Sequence, residues 1–405
     1  MALPSLLQYE SPYPLYGLAF SNSPLHHHRV ALTSLITGPS NKLTIVDVNA
    51  NYKTRYSPKS PYQAIAQGNL AFPATKVGWE PRDGSVNEDH GGRGELLATT
   101  GDVLRIWEME KSWGEGQHGR SFVGKNGYDG GEGHVLTERS VLSNSKSLLP
   151  PITSFSWNPQ APNSIVTCST DTTATLWDIN TSQALTQLIA HDKAVYDLSW
   201  LPQSSDIFVS VGADGSLRAF DLRTLEHSTI LYETTDQTPL ARIAFSNREQ
   251  YVGSSPLPAI HTETQCTRHM LACFGMEENR VLILDMRAPG HPVAELIGHQ
   301  GPVSGIAWGS GGDDSQLLLY DLCSPLPSET PPPSNRPSPL LHALSPHPAT
   351  PANERTPSPA STTQAVEVLP GRAWTAESEV NNLAFSQEGD WLGCVSGQKL
   401  NVLKV

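Results

Sequence analysis

The sequence predicts an all-β fold, one seven-bladed β-propeller spanning residues 1–405, mainly because a short pattern recurs along it. The pattern is an apolar residue, two others, an apolar residue, one other and then Phe or Trp. A unit of this kind cannot bury its own apolar face and must stack on its neighbours, so the repetition indicates a repeat protein. The seven copies are Leu15-Leu18-Phe20, Ala74-Val77-Trp79, Ile152-Phe155-Trp157, Val195-Leu198-Trp200, Leu240-Ile243-Phe245, Val303-Ile306-Trp308 and Val380-Leu383-Phe385.

Spacing and composition support the same fold. A second pattern, an apolar run closing on a large residue, usually an acid, and an apolar residue, follows each copy, as in Leu176-Trp177-Asp178-Ile179. The most regular units are 43 residues apart, from Trp157 to Trp200, and this period is typical of four-stranded propeller blades. Seven units account for roughly 300 residues of one closed body. The 33 prolines and 32 glycines fit a chain of many short strands and turns.

The third unit illustrates how one repeat becomes one blade. Strands are predicted at 152–157, 164–169, 174–179 and 184–189, because these stretches are rich in β-branched and aromatic residues and are separated by turn residues. Four antiparallel strands of this kind form one blade.

A structural polar network is predicted in the fourth unit. His191, Ser210 and Asp214 have the spacing at which a His, a Ser and an Asp can hydrogen-bond inside a blade and hold its turns. This interpretation is favoured over catalysis. Phe220 stands where a Trp indole would complete the chain of hydrogen bonds. The third unit keeps the other members, Asp171 and Trp177, but has no His.

The two ends of the chain are predicted to share a blade. The last unit, residues 380–405, supplies three strands, and residues 6–10 can supply the fourth. Sharing a blade closes the ring and removes open sheet edges.

The sixth unit departs from the others. The interval from the first-strand aromatic residue to the third-strand aromatic residue is 20 residues in units three and four, but only 12 in unit six, from Trp308 to Tyr320. Residues 309–316 contain no apolar residue, so the middle strand is expected to be absent and the blade defective. Losing a central strand leaves two ladders of backbone groups unpaired. An altered transcript or gene sequence is therefore favoured over a distorted blade.

Three insertions interrupt the repeats. Residues 111–147 are rich in Gly and Ser and predict a mobile loop, and residues 253–268 predict a loop in blade five. Residues 323–365 contain twelve prolines and predict a disordered loop. Its Ser-Pro and Thr-Pro steps are candidate sites for proline-directed kinases, with a linker of no regulatory role as the open alternative. The candidate phosphorylated residues are Ser338, Ser345, Thr356 and Ser358.

Charge and cysteine content exclude several classes of function. A net charge of −13 argues against direct nucleic-acid binding, and no stretch approaches the length of a membrane span. The five cysteines lack CxxC spacing, so neither a zinc site nor a disulfide framework is predicted. The His26-His27-His28 run could bind a metal, but this reading is disfavoured. We expect no cofactor, no catalytic site and a location in the nucleus and cytoplasm, because catalytic motifs and a secretory signal are not recognised.

The stretches STDTTATLWDI (169–179), LIAHDKAVYDLSW (188–200) and VSVGADGSLRAFDLRTLEHSTILYE (209–233) carry a specific likeness. They resemble the WD-repeat (WD40) family of plant Transparent Testa Glabra and its animal counterpart, a cullin-associated scaffold for DYRK-type kinases. The resemblance implies a non-enzymatic adaptor, monomeric within its complexes. Its implied partners are a ligase adaptor, proline-directed kinases and transcription regulators. Arg355-Thr356-Pro357-Ser358 resembles the kind of site that such kinases prefer.

In this family, the role of substrate receptor for a cullin-RING ubiquitin ligase is linked to an Asp-x-Arg step after the third strand. The step occurs at Asp221 and Arg223, and again at Asp285 and Arg287. The resemblance therefore implies that these four residues bind the ligase adaptor. In the alternative reading, each Arg only pairs with acids of its own blade. A different function also stays open, in which the acidic surface binds basic histone-like tails or peptides.

Overall fold

A computed structural model describes residues 5–48, 61–81, 94–112, 133–143, 150–225, 227–246, 269–307, 310–312, 314–320 and 365–405. These residues form 29 strands, β1 to β29, which are hydrogen-bonded into seven sheets. The predicted all-β, seven-bladed propeller is therefore confirmed. In the described part of the chain, no helix has the length and apolar character needed to cross a membrane.

Blades one to three each consist of four antiparallel strands in chain order. Blade one contains β2 (Leu15–Phe20), β3 (Val30–Ser34), β4 (Asn41–Val48) and β5 (Tyr62–Leu70). Blade two contains β6 (Lys76–Trp79), β7 (Glu95–Thr100), β8 (Leu104–Ser112) and β9 (Gly133–Leu142). Blade three contains β10 (Ile152–Trp157), β11 (Ser164–Ser169), β12 (Thr173–Asp178) and β13 (Gln183–Ile189).

Blades four to six follow with one irregularity, a fifth strand on blade five. Blade four contains β14 (Val195–Trp200), β15 (Ile207–Gly212), β16 (Ser216–Asp221) and β17 (Thr229–Glu233). Blade five contains β18 (Leu240–Phe245), β19 (Met270–Gly275), β20 (Val281–Asp285), β21 (Ala294–Leu296) and β25 (Val366–Val368). Blade six contains β22 (Val303–Ile306), β23 (Ser310–Gly312), β24 (Gln316–Leu319) and β26 (Arg372–Thr375).

Blade seven combines both ends of the chain, as predicted. It contains β27 (Val380–Phe385), β28 (Trp391–Ser396), β29 (Lys399–Lys404) and β1 (Leu6–Glu10). Strand β1 pairs antiparallel with β29, from Leu6 opposite Leu403 to Glu10 opposite Lys399. The first strands of neighbouring blades contact each other around the whole ring, from β2 to β27 and back to β2.

The apolar core is divided among the seven junctions between blades. Each buried apolar cluster draws its side chains from two neighbouring blades. Alternation along a strand makes this possible, because successive side chains point to opposite faces of a sheet. In β15, for example, Phe208 packs toward blade three, whereas Val209 packs toward blade five. The aromatic residue ending the first strand can also donate to the preceding blade, as Trp200 Nε1 does to the Ser156 carbonyl at 3.0 Å.

The prediction of a missing middle strand in blade six is wrong. Strand β23 pairs with both β22 and β24, although it contains only three residues. Ile306 lies opposite Ser310, as Leu198 lies opposite Ser210 in blade four, and the two registers continue identically toward the next turn. The shortening therefore falls on the hairpin that joins the first and second strands. Blade six therefore keeps its middle strand, and only this hairpin is shortened.

The structure tests only part of the predicted insertions. The loop prediction for 111–147 is wrong at Gly133–Leu142, which forms the fourth strand of blade two, β9. It is also wrong at residues 111–112, which end β8, and residues 113–132 and 144–147 of that loop lie outside the described residues, as do 253–268 and 321–364. The fifth strand of blade five, β25, is not predicted by the sequence; it pairs parallel with β21.

Candidate functional site

The two Asp-x-Arg steps lie where the third strands of blades four and five end. Strand β16 ends at Asp221 and β20 ends at Asp285, and each Arg follows two residues later in the turn toward the fourth strand. Because the two blades stack in the same orientation, both turns open on one face of the propeller, which we call the third-strand face.

Each step forms a closed fork between the guanidinium and the carboxylate. Arg223 Nε donates to Asp221 Oδ1 at 2.9 Å, and Nη2 donates to Oδ2 at 2.6 Å. Arg287 Nε donates to Asp285 Oδ1 at 3.0 Å, and Nη2 donates to Oδ2 at 2.6 Å. The backbone N–H of each Arg also donates to its Asp, at 3.0 and 2.9 Å. Planar guanidinium and carboxylate groups suit this two-bond geometry.

The Asp in this position has a local role that explains its presence in other blades. In blade three, Asp178 accepts from the backbone N–H of Asn180 at 2.9 Å and from the Thr181 hydroxyl at 3.0 Å. A carboxylate that caps the following turn is thus a general device of the third strand. The Arg of blades four and five is the added element.

Both forks are exposed and charged. The side chains of Arg223 and Arg287 are 66% and 51% exposed. The hydrogen bonds from Arg223 lower the pKa of Asp221 to about 2, and those from Arg287 lower the pKa of Asp285. Both carboxylates are therefore ionised at neutral pH. Exposed ion pairs contribute little to stability, so the forks are available for binding without being needed for folding.

The structure brings His191, Ser210 and Asp214 together inside blade four. Nδ1 of His191 lies 2.9 Å from Asp214 Oδ1, and Nε2 lies 2.7 Å from the Ser210 hydroxyl. Arg218 Nη2 also donates to Asp214 at 3.1 Å. Burial lowers the pKa of His191, although Asp214 acts in the opposite direction. The ring is therefore neutral at pH 7, and its two nitrogens join the turn to the second strand.

Asp171 and Trp177 lie in blade three and do not join that network. Asp171 accepts from the backbone N–H and the hydroxyl of Thr173, at 3.1 and 2.7 Å. Trp177 Nε1 donates to the Thr167 hydroxyl at 2.8 Å. The candidate phosphorylated residues Ser338, Ser345, Thr356 and Ser358 lie outside the described residues.

The three consecutive histidines do not converge on one centre. His26 Nδ1 lies 3.6 Å from Asp47, whereas His27 Nδ1 lies 3.6 Å from Glu388. His28 packs edge-on against Trp391, with ring centroids 5.0 Å apart. Within the described ranges, no group of three or more His, Cys, Asp or Glu is arranged to hold a metal ion.

A buried ion-pair cluster beside these histidines was not predicted from the sequence. Arg29 is 2% exposed and donates to Asp47 at 3.0 Å and to both oxygens of Glu95, at 3.0 and 3.1 Å. It joins blade one to blade two. Burial lowers the pKa of the nearby His26 and His134. No repeat pattern marks Arg29, because the residue just before the second strand is an Arg only in blade one.

Comparison with known proteins gives this architecture a family. A model described as WD domain, G-beta repeat matches residues 142–178 and 182–221, which belong mainly to blades three and four. The DDB1- and CUL4-associated factor 7 homolog of Dictyostelium discoideum is 35% identical over 408 residues, covering 98% of this chain and 98% of the relative. The chain belongs to the WD-repeat family.

Two fungal WD-repeat proteins extend the likeness. A WD repeat-containing protein of Saccharomyces cerevisiae is 32% identical over 432 residues, covering all of this chain and 77% of the relative. An uncharacterised WD repeat-containing protein of Schizosaccharomyces pombe is 35% identical over 359 residues, covering 85% and 77%. This WD-repeat protein is thus similar to these relatives across the blades that the family model does not match.

Proposed function

We propose that this protein is a non-enzymatic adaptor that attaches to the adaptor subunit of a cullin-RING ubiquitin ligase and serves as its substrate receptor. The observation that carries the proposal is the pair of Asp–Arg forks on the third-strand face of neighbouring blades. The name of the Dictyostelium relative, which associates that protein with DDB1 and CUL4, supports it.

The forks have the physical properties of a docking contact. Each guanidinium is held by the hydrogen bonds that it donates to its own Asp, so little side-chain freedom is lost when a partner binds. Arg223 uses Nε and Nη2 for its fork, which leaves Nη1 directed at solvent. Arg side chains are enriched among the residues that dominate binding energy at protein interfaces. Two of them on adjacent blades supply a repeated contact.

The test is the double variant Arg223→Ala with Arg287→Ala. We expect loss of co-purification with a DDB1-type adaptor, because removing one Arg with the character of an interface hot spot weakens affinity roughly 30-fold and the variant removes two. The melting temperature should stay within about 2 °C of the wild type, because exposed ion pairs stabilise little.

Arg280→Ala is the matched control. Arg280 is also exposed, at 48%, and is also ion-paired, to Glu278 and Glu295, but it lies at the opposite face of blade five. Its removal should leave adaptor binding unchanged. Undiminished binding by the double variant would reject the proposal.

A second function is supported by acidic groups at the opposite face. A groove between blades four and five is lined by Asp236, Glu278 and Glu295, with Arg280 as its one cationic side chain. Together with the net charge of −13, this favours a basic histone-like tail or peptide as a partner. Binding of such a peptide should weaken steeply between about 50 and 300 mM salt, because salt screens the attraction between exposed charges. Salt-independent binding would favour a shape-based adaptor surface.

The finer partners follow from the resemblance to plant Transparent Testa Glabra and its animal counterpart. We include DYRK-type, proline-directed kinases and transcription regulators among the proposed clients of the scaffold, and the nucleus and cytoplasm as its location. The protein would act as a monomer within these complexes.

A further inference from the structure

A chain of polar side chains runs around the central channel. The first strand of each blade lines this channel, and near the start of these strands lie Tyr16 of blade one, Lys76 of blade two, Ser154 of blade three, Asp197 of blade four and Arg242 of blade five. These residues are close in space although they are up to 226 positions apart in sequence.

Asp197 is the acidic centre of this chain, and its oxygens are fully engaged. Oδ1 accepts from Lys76 Nζ at 3.1 Å, from the Ser154 hydroxyl at 2.5 Å and from the Leu198 N–H at 2.9 Å. Oδ2 accepts from the Ile243 N–H at 3.0 Å. Asp197 is 2% exposed. Burial raises the pKa of Asp197, but Lys76 and Arg242, together with the hydrogen bonds from Ser154 and Ile243, lower the pKa overall.

Arg242 has fewer hydrogen-bond partners than Asp197. In the part of the chain that the structure describes, its guanidinium donates one hydrogen bond, from Nη2 to the Tyr16 hydroxyl at 2.7 Å, and forms no ion pair. This bond links blade five to blade one, which are not neighbours in the ring. A guanidinium carries five N–H donors, so four of those of Arg242 make no hydrogen bond to the described residues. Lys76, by contrast, is committed to Asp197.

The channel therefore carries an excess of positive charge within an acidic protein. Lys76 and Arg242 contribute two positive charges and Asp197 contributes one negative charge. Arg242 is partly buried and is attracted by Asp197 without a direct ion pair, so an anion hydrogen-bonded to its guanidinium would compensate its charge more directly. A planar oxyanion matches the donors of a guanidinium in both charge and geometry.

We propose that the central channel binds an oxyanion, a carboxylate or a phosphate, at the guanidinium of Arg242 beside Tyr16. The site is separate from the forks on the third-strand face and does not rest on the proposed ligase attachment. Arg242 is the binding residue. Tyr16 orients it, and Asp197 holds Lys76 away from the anion.

The test measures binding of inorganic phosphate and of the tripeptides Gly-Glu-Gly and Gly-Gln-Gly by calorimetry at constant ionic strength. The proteins are the wild type, Arg242→Met, and Arg372→Met as a control. Arg372 is exposed on β26, so its substitution removes the same charge outside the channel. We expect Arg242→Met to weaken binding at least tenfold, with Arg372→Met unchanged.

Two further variants separate binding from folding. Tyr16→Phe removes the hydrogen bond that orients Arg242 but keeps the guanidinium, so oxyanion affinity should fall, by less than in Arg242→Met. Arg242→Lys keeps the charge and loses the fork, so affinity should fall several-fold; this variant substitutes for Arg242→Met if that protein does not fold.

The two probes distinguish the source of the oxyanion. Binding of Gly-Glu-Gly without binding of Gly-Gln-Gly supports the proposal and identifies a side-chain carboxylate, as from a partner protein. Binding of phosphate alone supports it and identifies a free anion. The proposal would be overturned if the wild type bound neither phosphate nor Gly-Glu-Gly at about 10 mM. Equal affinities of the wild type and Arg242→Met would also overturn it.

Discussion

At the residue scale, the blades divide one polar network into two halves. Blade three keeps the indole half, in which Trp177 donates to Thr167, and blade two repeats it with Trp107 and Thr99 at 2.9 Å. Blades four and six keep the imidazole half, with His299 of blade six lying 3.0 Å from Asp314. Each half satisfies its own buried groups, which is the condition under which a polar network stabilises a core. Divergence of the repeat is therefore tolerated.

The hydroxyl of Ser210 is the sensitive point of the imidazole half. Ser210→Ala leaves Nε2 of the buried His191 without a partner, and an unsatisfied buried polar atom costs about 1–3 kcal/mol. We expect the free energy of unfolding to fall by this amount in urea denaturation. Ser199→Ala in the same blade is the control: its hydroxyl makes only a 3.5 Å contact, so the change should stay below about 0.5 kcal/mol. Equal effects would show that the His191 contact is unimportant.

Residues that repeat could be predicted from the sequence, whereas residues that occur once could not. Asp221 and Arg223 follow from their place after a third strand. No other blade has an Arg at the position of Arg29 or of Arg242, and the partners Glu95 and Tyr16 lie 66 and 226 positions away. Such contacts depend on how the ring closes, which no local pattern encodes.

At the element scale, the observed strand pairing differs from the prediction made from the sequence in blades two and six. Strand β9 has the composition Gly-His-Val-Leu-Thr-Glu-Arg-Ser-Val-Leu and follows a Gly-rich stretch, so its alternation was hidden by its surroundings. Strand β23 is Ser-Gly-Gly, which favours no strand by itself. It is held by the backbone ladders on both sides, because a gap there would strand two rows of N–H and C=O groups.

The fifth strand of blade five adds a test at this scale. Val368 of β25 packs on the apolar cluster between blades five and six, and its carbonyl accepts from the Ile297 N–H at 3.1 Å. Val368→Ser should reduce the free energy of unfolding by about 1–2 kcal/mol, because the apolar contacts of a partly buried Val side chain are lost.

Glu367→Ser is the control on the same strand, since Glu367 is exposed. Its effect should stay within about 0.5 kcal/mol. Both stabilities can be measured by denaturant unfolding. If the two variants are equally stable, β25 does not contribute to blade five.

At the scale of the whole molecule, stability depends on closure, because the core exists only between blades. Each of the seven apolar clusters needs two sheets, so an open ring would leave two sheets with one uncovered face each. The shared blade prevents this by pairing the first strand with the last. The period of the repeat predicts the blades, and the missing fourth strand at the end of the chain predicts the closure.

Closure predicts that a few residues at one end stabilise the entire ring. Leu7 of β1 is completely buried among side chains of blades seven and one, whereas its neighbour Leu6 is 37% exposed. Leu7→Ala should therefore cost about 2–5 kcal/mol, and Leu6→Ala less than about 1 kcal/mol. Deleting residues 1–11 removes the whole strand and exposes the edge of β29, so the melting temperature should fall by more than about 5 °C in calorimetry. The loss should occur in one cooperative transition, because opening one blade uncovers both of its neighbours. An unchanged melting temperature after the deletion would contradict closure as the source of stability.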